Sequence, residues 1–157
     1  MEKKISWRAL IVFLLISWGV GGLASFLIRN NTDIYETLQR PAFAPPGWVF
    51  PVVWAVLYTL MGISAYLIFR AVPSTSRLNA LTSYLVTLII NFAWPLIFFN
   101  AQAWWGAFFW LLLLIASLVV QLVLYWRVRP SAALLQIPYL LWISFAAVLN
   151  LSIARMN

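Results

Sequence analysis

Residues 78–126 read LNALTSYLVTLIINFAWPLIFFNAQAWWGAFFWLLLLIASLVVQLVLYW and contain no charged side chain, with Arg77 before them and Arg127 after them. The hydrocarbon core of a bilayer takes about 20 apolar residues as one helix, so this stretch is too long for a single crossing. The segment Asn-Ala-Gln at 100–102 divides it into predicted helices at 78–99 and 104–126. The stretch therefore predicts two successive membrane-spanning helices.

The rest of the chain divides in the same way. Uncharged apolar runs predict three further spans, at 9–28, 49–69 and 132–153. The first run is longer than the apolar region of a secretory signal, which is about 7 to 15 residues, so we expect it to be retained as a helix. With 65% hydrophobic and 8% charged residues, the composition is that of a protein embedded in lipid. We expect an all-α membrane protein: a single domain over 1–157 that forms a five-transmembrane-helix bundle.

The positive charges are distributed unequally between the two ends of the predicted bundle. The end that holds the N-terminus carries Lys3, Lys4, Arg8, Arg70, Arg77, Arg127 and Arg129, and the opposite end carries Arg29, Arg40 and Arg155. By the positive-inside rule, we expect a cytoplasmic N-terminus and an external C-terminus if the protein lies in a plasma membrane. The net charge of +7 is explained by this topology, so we expect no nucleic-acid partner.

The residues available for chemistry are few. The chain has no histidine and no cysteine, and its acidic residues are Glu2, Asp33 and Glu36, all outside the predicted spans. Proton relays, ion-coupled carriers and metal-assisted hydrolysis normally depend on ionisable groups at membrane depth. We therefore expect no metal site and no acid–base catalysis.

The connection between the first two spans, residues 29–48, is the longest in the chain and contains the run RPAFAPPGW at 40–48. Its prolines fix the backbone and reduce the entropy lost on ordering. We expect a long ordered loop that covers the helix ends as a lid. The alternative is a solvated loop followed by a helix that begins at a proline.

Polar and aromatic residues share faces on three of the predicted helices. Asn91 is the clearest case, because an unpaired amide in hydrocarbon costs several kcal/mol. The three faces consist of Thr87, Asn91, Trp94 and Phe98; of Trp54, Tyr58 and Met61; and of Pro138, Trp142, Phe145 and Leu149 beside Ala146. Such faces indicate a pocket for a flat apolar ligand. The alternative is that the aromatic residues only pack the bundle, although tight packing favours glycine, alanine and serine.

Four segments of the chain resemble a known family: residues 40–48, VWAVLY at 53–58, NFAWPLIFF at 91–99, and PYLLW at 138–142 with Phe145 and Leu149-Asn150. They are similar to the tryptophan-rich sensory protein family, also called the translocator protein or peripheral-type benzodiazepine receptor family, over essentially the whole chain. The resemblance implies a five-helix bundle, often a homodimer, with a pocket under the first loop that binds porphyrins and drug-like ligands. The implied pocket residues are Tyr35, Pro45, Trp54, Tyr58, Asn91, Trp94, Trp142, Phe145 and Ala146.

The chain departs from the family pattern in its first loop and near its C-terminus. Ile34 precedes Tyr35 and Phe43 lies in the proline-rich run, at two positions where the family usually has tryptophan. Residues 149–155 lack the tyrosine of the mammalian sterol motif, and such motifs are weak evidence even when complete. Sterol transport is therefore the less expected activity.

The resemblance implies an apolar small ligand, protoporphyrin IX, with no intrinsic cofactor. The ring would stack among Trp54, Trp94 and Trp142, while the propionates reach Arg29 and Arg40. It further implies a bacterial-type member of the family in a bacterial plasma membrane, tetrapyrrole and stress sensing, and porphyrin breakdown that needs light and molecular oxygen. From the aromatic faces we expect Trp54 and Trp142 to face each other across the pocket and to act as the photochemical residues. Two alternatives remain open: a non-catalytic ligand-binding sensor or scaffold, and a passive porphyrin transporter.

Overall fold

The structure of the protein, a computed structural model, describes residues 5–157 and is helical. Its elements are α1 (Trp7–Ile28), α2 (Ile34–Thr37), α3 (Val49–Phe69), α4 (Thr75–Pro95), a π-helical turn (Leu96–Asn100), α5 (Trp104–Val128), α6 (Pro130–Leu134) and α7 (Ile137–Met156). Five segments are long and apolar enough to cross a membrane: Trp7–Ile28, Val49–Phe69, Thr75–Asn100, Trp104–Val128 and Pro130–Met156. The predicted five-helix all-α membrane architecture is confirmed. Lys3 and Lys4, which carry part of the predicted charge asymmetry, lie outside the described residues.

Several helices extend beyond the ends predicted from the charges. The third span begins at Thr75, three residues before the predicted start, and Arg77 lies inside its first turn. The Ser74 hydroxyl accepts a hydrogen bond from the Arg77 backbone N–H at 3.1 Å, which satisfies one of the unpaired donors at the helix start. The local cap therefore determines where this helix begins, and the charged residue does not.

Two of the five spans are interrupted near a proline. Pro95 has no N–H to donate to the carbonyl one turn earlier, and after it the helix widens into the π turn, in which the Ala101 N–H bonds to the Leu96 carbonyl at 3.0 Å. The fifth span is broken between α6 and α7, two residues before Pro138. Sequence spacing predicted both spans as continuous helices, because periodicity alone does not show such interruptions.

The helices form a ring in which α1 packs against α3 and α4, α5 packs between α4 and α7, and α6 closes the ring against α3. The contact between α1 and α3 is close because Gly62 has no side chain. A Cβ atom placed on Gly62 would lie 3.0 Å from the Leu14 Cα atom. Small residues allow this kind of backbone approach between membrane helices.

Asn91 joins three helices through its side-chain amide. Its Oδ1 accepts a hydrogen bond from the Tyr58 hydroxyl of α3 at 2.7 Å, and its Nδ2 donates to the Tyr139 hydroxyl of α7 at 2.7 Å. The residue is only 3% exposed, so the amide finds its partners inside the bundle. Asn91 therefore holds α3, α4 and α7 together at one level.

We expect Gly62→Val to destabilise the bundle, because a branched side chain has no room beside the Leu14 backbone. Overpacking of this kind costs about 1 to 3 kcal/mol. Thermal unfolding in detergent, followed by circular dichroism, measures the loss. Gly19→Val is the matched control, since nothing lies within 4 Å of a Cβ atom at that position. Equal midpoints for the two variants would contradict a tight α1–α3 contact.

We expect Asn91→Leu to lower the free energy of unfolding by about 1 kcal/mol, in the range measured for polar contacts between membrane helices. The leucine removes two hydrogen bonds and leaves the hydroxyls of Tyr58 and Tyr139 without this partner in an apolar interior. Asn79→Leu is the control, because Asn79 lies exposed on the same helix. A variant at position 91 as stable as the wild type would show that the amide bridge does not hold the bundle together.

Candidate ligand cavity

A cavity of about 830 Å³ lies between α1, α3 and α4, beneath the connection that contains α2. Aromatic side chains form much of its wall: Trp18, Tyr35, Trp48, Phe50, Trp54, Tyr58, Trp94 and Phe99. Its volume is within the range of small-molecule sites, which is about 300 to 1,000 Å³. The cavity is therefore large enough for a flat ring system.

The connection over the cavity is ordered by side-chain contacts. The Tyr35 hydroxyl donates to the Pro45 carbonyl at 2.8 Å, and the Tyr35 ring meets the Phe50 ring edge-on at 5.2 Å between centroids. Burial raises the pKa of Tyr35, although the neighbouring Arg40 acts in the opposite direction. The phenol therefore stays protonated at neutral pH and can donate this bond. These contacts support the predicted ordered lid.

The end of the third span is tied to α1 near the cavity mouth, by which we mean the exposed lining residues Thr32, Asp33 and Glu36. The Asn100 side chain donates to the Leu27 carbonyl at 3.1 Å and accepts a hydrogen bond from the Asn31 side chain at 2.8 Å. Phe99, the preceding residue of the π turn, lines the cavity. The π turn therefore places Phe99, which lines the cavity, next to Asn100, which bonds to α1.

Five of the residues singled out in the sequence line this cavity together: Tyr35, Trp54, Tyr58, Asn91 and Trp94. The Trp94 indole is held in place by a hydrogen bond from its Nε1 to the Asn150 Oδ1 at 3.2 Å. The Asn91 amide is already engaged by two tyrosines. The indole nitrogen of Trp54, in contrast, donates no hydrogen bond among residues 5–157 and is available to a ligand.

The residues singled out on α7 lie elsewhere. Trp142 and Ala146 line a separate void of only about 10 Å³, which Trp54 and Trp94 also border. The Phe50 ring lies 5.8 Å from the Trp142 ring and also lines the large cavity. The sequence led us to expect Trp54 and Trp142 to face each other across a single pocket. In the structure both residues border the small void, and Trp54 alone of the two lines the large cavity.

Three other residues of the implied site line neither space. Phe145 packs against Trp142 at 5.4 Å between ring centroids and lies 6.2 Å from the Phe43 ring of the lid. Pro45 acts through its carbonyl, which holds Tyr35. Arg40 lies over the Tyr35 ring, 4.6 Å from its centroid, and pairs with Glu36 at 3.0 Å. These three residues support the lid and do not form the wall.

Sequence reasoning missed the wall that α1 contributes. Gly21, Gly22 and Ser25 line the cavity opposite α3, and a Cβ atom on Gly21 would collide with the Tyr58 ring. The signal was present in the sequence, because small residues cluster at 19–25 within an apolar helix. Such clusters usually indicate close helix packing, whereas here they also make room for a cavity.

The charged residues that line the cavity are Asp33 and Glu36, both near its mouth. Arg29 turns away to the Phe26 carbonyl, to which its Nη1 donates at 2.7 Å, and its guanidinium lies 3.9 Å from the centroid of the Phe26 ring. Among the described residues there is no group of three side chains that could hold a metal ion. The cavity can therefore bind a ligand by stacking, by apolar contact and by a few polar groups at the mouth.

The chain is similar to known proteins over nearly its whole length. The sequence profile of the TspO/MBR family matches residues 9–156. The chain is 31% identical over 158 residues to the tryptophan-rich protein TspO of Chlorobaculum tepidum, covering 100% of this chain and 99% of that protein. It is 36% identical over 148 residues to the translocator protein of Ovis aries, covering 92% and 87% of the two chains.

A further relative is the protein CrtK of Rhodobacter capsulatus, 36% identical over 124 residues, which are 78% of each chain. The family match covers nearly all of the five spans and the whole connection over the cavity. It agrees with the resemblance carried by the four sequence segments described above. The chain is an integral membrane protein that belongs to the TspO/MBR family.

Proposed function

We propose that this TspO/MBR family membrane protein binds protoporphyrin IX in the cavity between α1, α3 and α4. The observation that carries the proposal is the cavity itself, a space of about 830 Å³ with walls rich in aromatic residues at the end of a membrane bundle. Flat apolar rings gain affinity by stacking on aromatic faces, at ring separations of about 4.5 to 7 Å. The choice of a porphyrin as the ligand rests on the family resemblance.

Trp54 is the residue best placed to act on a bound ring. It lines the cavity, it stacks on Tyr58 at 5.4 Å between ring centroids, and its indole N–H has no protein partner among the described residues. Light-dependent breakdown would need no acid–base pair, because the porphyrin absorbs the light and molecular oxygen is the oxidant. Trp142 contributes less under this proposal, since it lies outside the large cavity.

The second candidate is a sensor that binds the porphyrin without turnover. The observation that favours it is the lack of any ionisable group on the wall that α4 and the π turn contribute, where the lining residues are Asn91, Trp94, Pro95 and Phe99. A porphyrin held there would meet only stacking and apolar contacts. Such contacts explain binding without requiring a reaction.

We further infer that the cavity mouth lies at the external face of a plasma membrane. Arg70, Arg77, Arg127 and Arg129 lie at the end opposite α2, where α3 and α5 end and α4 begins. The positive-inside rule assigns this end to the cytoplasm. A homodimer, which the family resemblance implies, stays a prediction.

A spectral titration with protoporphyrin IX, in darkness and under illumination with oxygen, tests the proposal. We expect a saturable shift of the porphyrin absorption in darkness, and a new absorbing product in the light. Trp54→Phe should preserve binding within about threefold, since the aromatic face remains, but change product formation. Trp142→Phe is the matched control and should change product formation less. Saturable binding without a protein-dependent product would identify the sensor, and no saturable binding would reject the proposed ligand.

We expect Arg40→Ala to weaken the binding of protoporphyrin IX by about threefold to tenfold and to leave its uncharged dimethyl ester unaffected. Arg40 already pairs with Glu36, so a propionate gains less from Arg40 than from an arginine without an acidic partner. Equal losses for the acid and the ester would show that Arg40 acts only by holding the lid. No loss for either ligand would remove Arg40 from the site.

A further inference from the structure

The mouth of the large cavity carries negative charge. Asp33 and Glu36 are the ionisable acids that line it, and neither Arg29 nor Arg40 contributes to its wall. This distribution is unexpected in a protein with a net charge of +7 and only three acidic residues. Two of the three acids thus line the space proposed for the ligand.

The nearby cations do not fully cancel this charge. Arg40 pairs with one oxygen of Glu36 at 3.0 Å and lies over the Tyr35 ring. Arg29 is bound to the Phe26 carbonyl and ring. Asp33 forms no ion pair with any residue in the range 5–157. A ligand at the mouth therefore meets one unpaired carboxylate and one shared carboxylate.

The Glu36 carboxylate has a defined position. Its Oε1 lies 3.0 Å from the place that a Cβ atom would take on Gly47, so the carboxylate rests against the proline-rich run of the lid. The neighbouring Tyr35 anchors the same short helix to Pro45. The Glu36 carboxylate therefore lies where its charge can act on a ligand beneath the lid.

We propose that Asp33 and Glu36 make the affinity of the cavity for a ligand depend on the charge of the ligand's polar end. A flat apolar ring with a protonated amine or an uncharged polar group is favoured, and the same ring with a carboxylate is disfavoured. The inference rests on the cavity of the proposed function and not on protoporphyrin as the ligand. Under this rule a dicarboxylic porphyrin binds through its ring contacts and any pairing with Arg40, against the charge of the two acids.

The effect has a moderate size, because the Glu36 side chain is 60% exposed and water and salt screen exposed charges. We expect the ammonium form of a ligand to bind roughly threefold to tenfold more tightly than the carboxylate form at low salt, with the alcohol between them. The difference should shrink as the ionic strength rises. A preference caused by ring size or shape would not depend on salt.

Three pyrene probes that differ only in the polar group test this proposal: pyrenemethylammonium, pyrenemethanol and pyrenecarboxylate. Energy transfer from tryptophan to pyrene measures their dissociation constants for the full-length protein in nanodiscs of zwitterionic lipid. Asp33→Asn, Glu36→Gln and the double variant remove the charges while preserving shape. The preference for the ammonium probe should decrease in each single variant. In the double variant it should disappear or reverse, because Arg40 is then free to bind the carboxylate.

Arg129→Gln is the control for net charge, since it lies at the other end of the bundle and should leave the order of affinities unchanged. Equal affinities for the three probes in the wild type would overturn the inference. So would a preference that survives in the double variant, or the failure of all three probes to bind. Probes that bind in the expected order when protoporphyrin IX does not bind would reject the proposed ligand alone. Thermal midpoints of the variants verify that they are folded.

Discussion

The meeting of three helices depends on one buried amide. An unpaired amide in an apolar interior costs several kcal/mol, and Asn91 avoids this cost by accepting from Tyr58 and donating to Tyr139. The helices α3, α4 and α7 therefore meet at the level of Asn91. Asn91 and Tyr58 also line the large cavity, so the interaction that joins the helices forms part of the wall of the space between α1, α3 and α4.

Much of the fold could be predicted from the sequence, because membrane crossings have a fixed length and charges mark their ends. The interruptions at Pro95 and before Pro138 could not be placed in the same way. A proline permits a kink, a wide turn or a break, and tertiary packing decides between them. The start of α4 was also missed, since Ser74 caps the helix ahead of Arg77.

The candidate site was predictable on the α3 and α4 faces and less so on the others. Helical spacing identifies which residues share a face, so Trp54, Tyr58 and Asn91 were grouped correctly as neighbours. Spacing does not show which neighbouring side chains fill the intervening space, and in the structure Trp142 lines the small void but not the large cavity. The pairing of Arg40 with Glu36 could not be predicted from spacing either, because it depends on the conformation of the loop.

The π turn after Pro95 has a consequence for how the chain tolerates changes in length. Such a turn accommodates one residue more than an α-helical turn of the same height. Deleting a single residue at 96–98 would let an ordinary helical turn form over the same height, so the residues that follow would keep their directions. The same deletion in an α-helical stretch would rotate everything after it by about 100°. Phe99 would stay in the cavity wall, and Asn100 would keep its bonds to Leu27 and Asn31. The wide turn thus makes this short segment the part of the third span that best tolerates the loss of one residue.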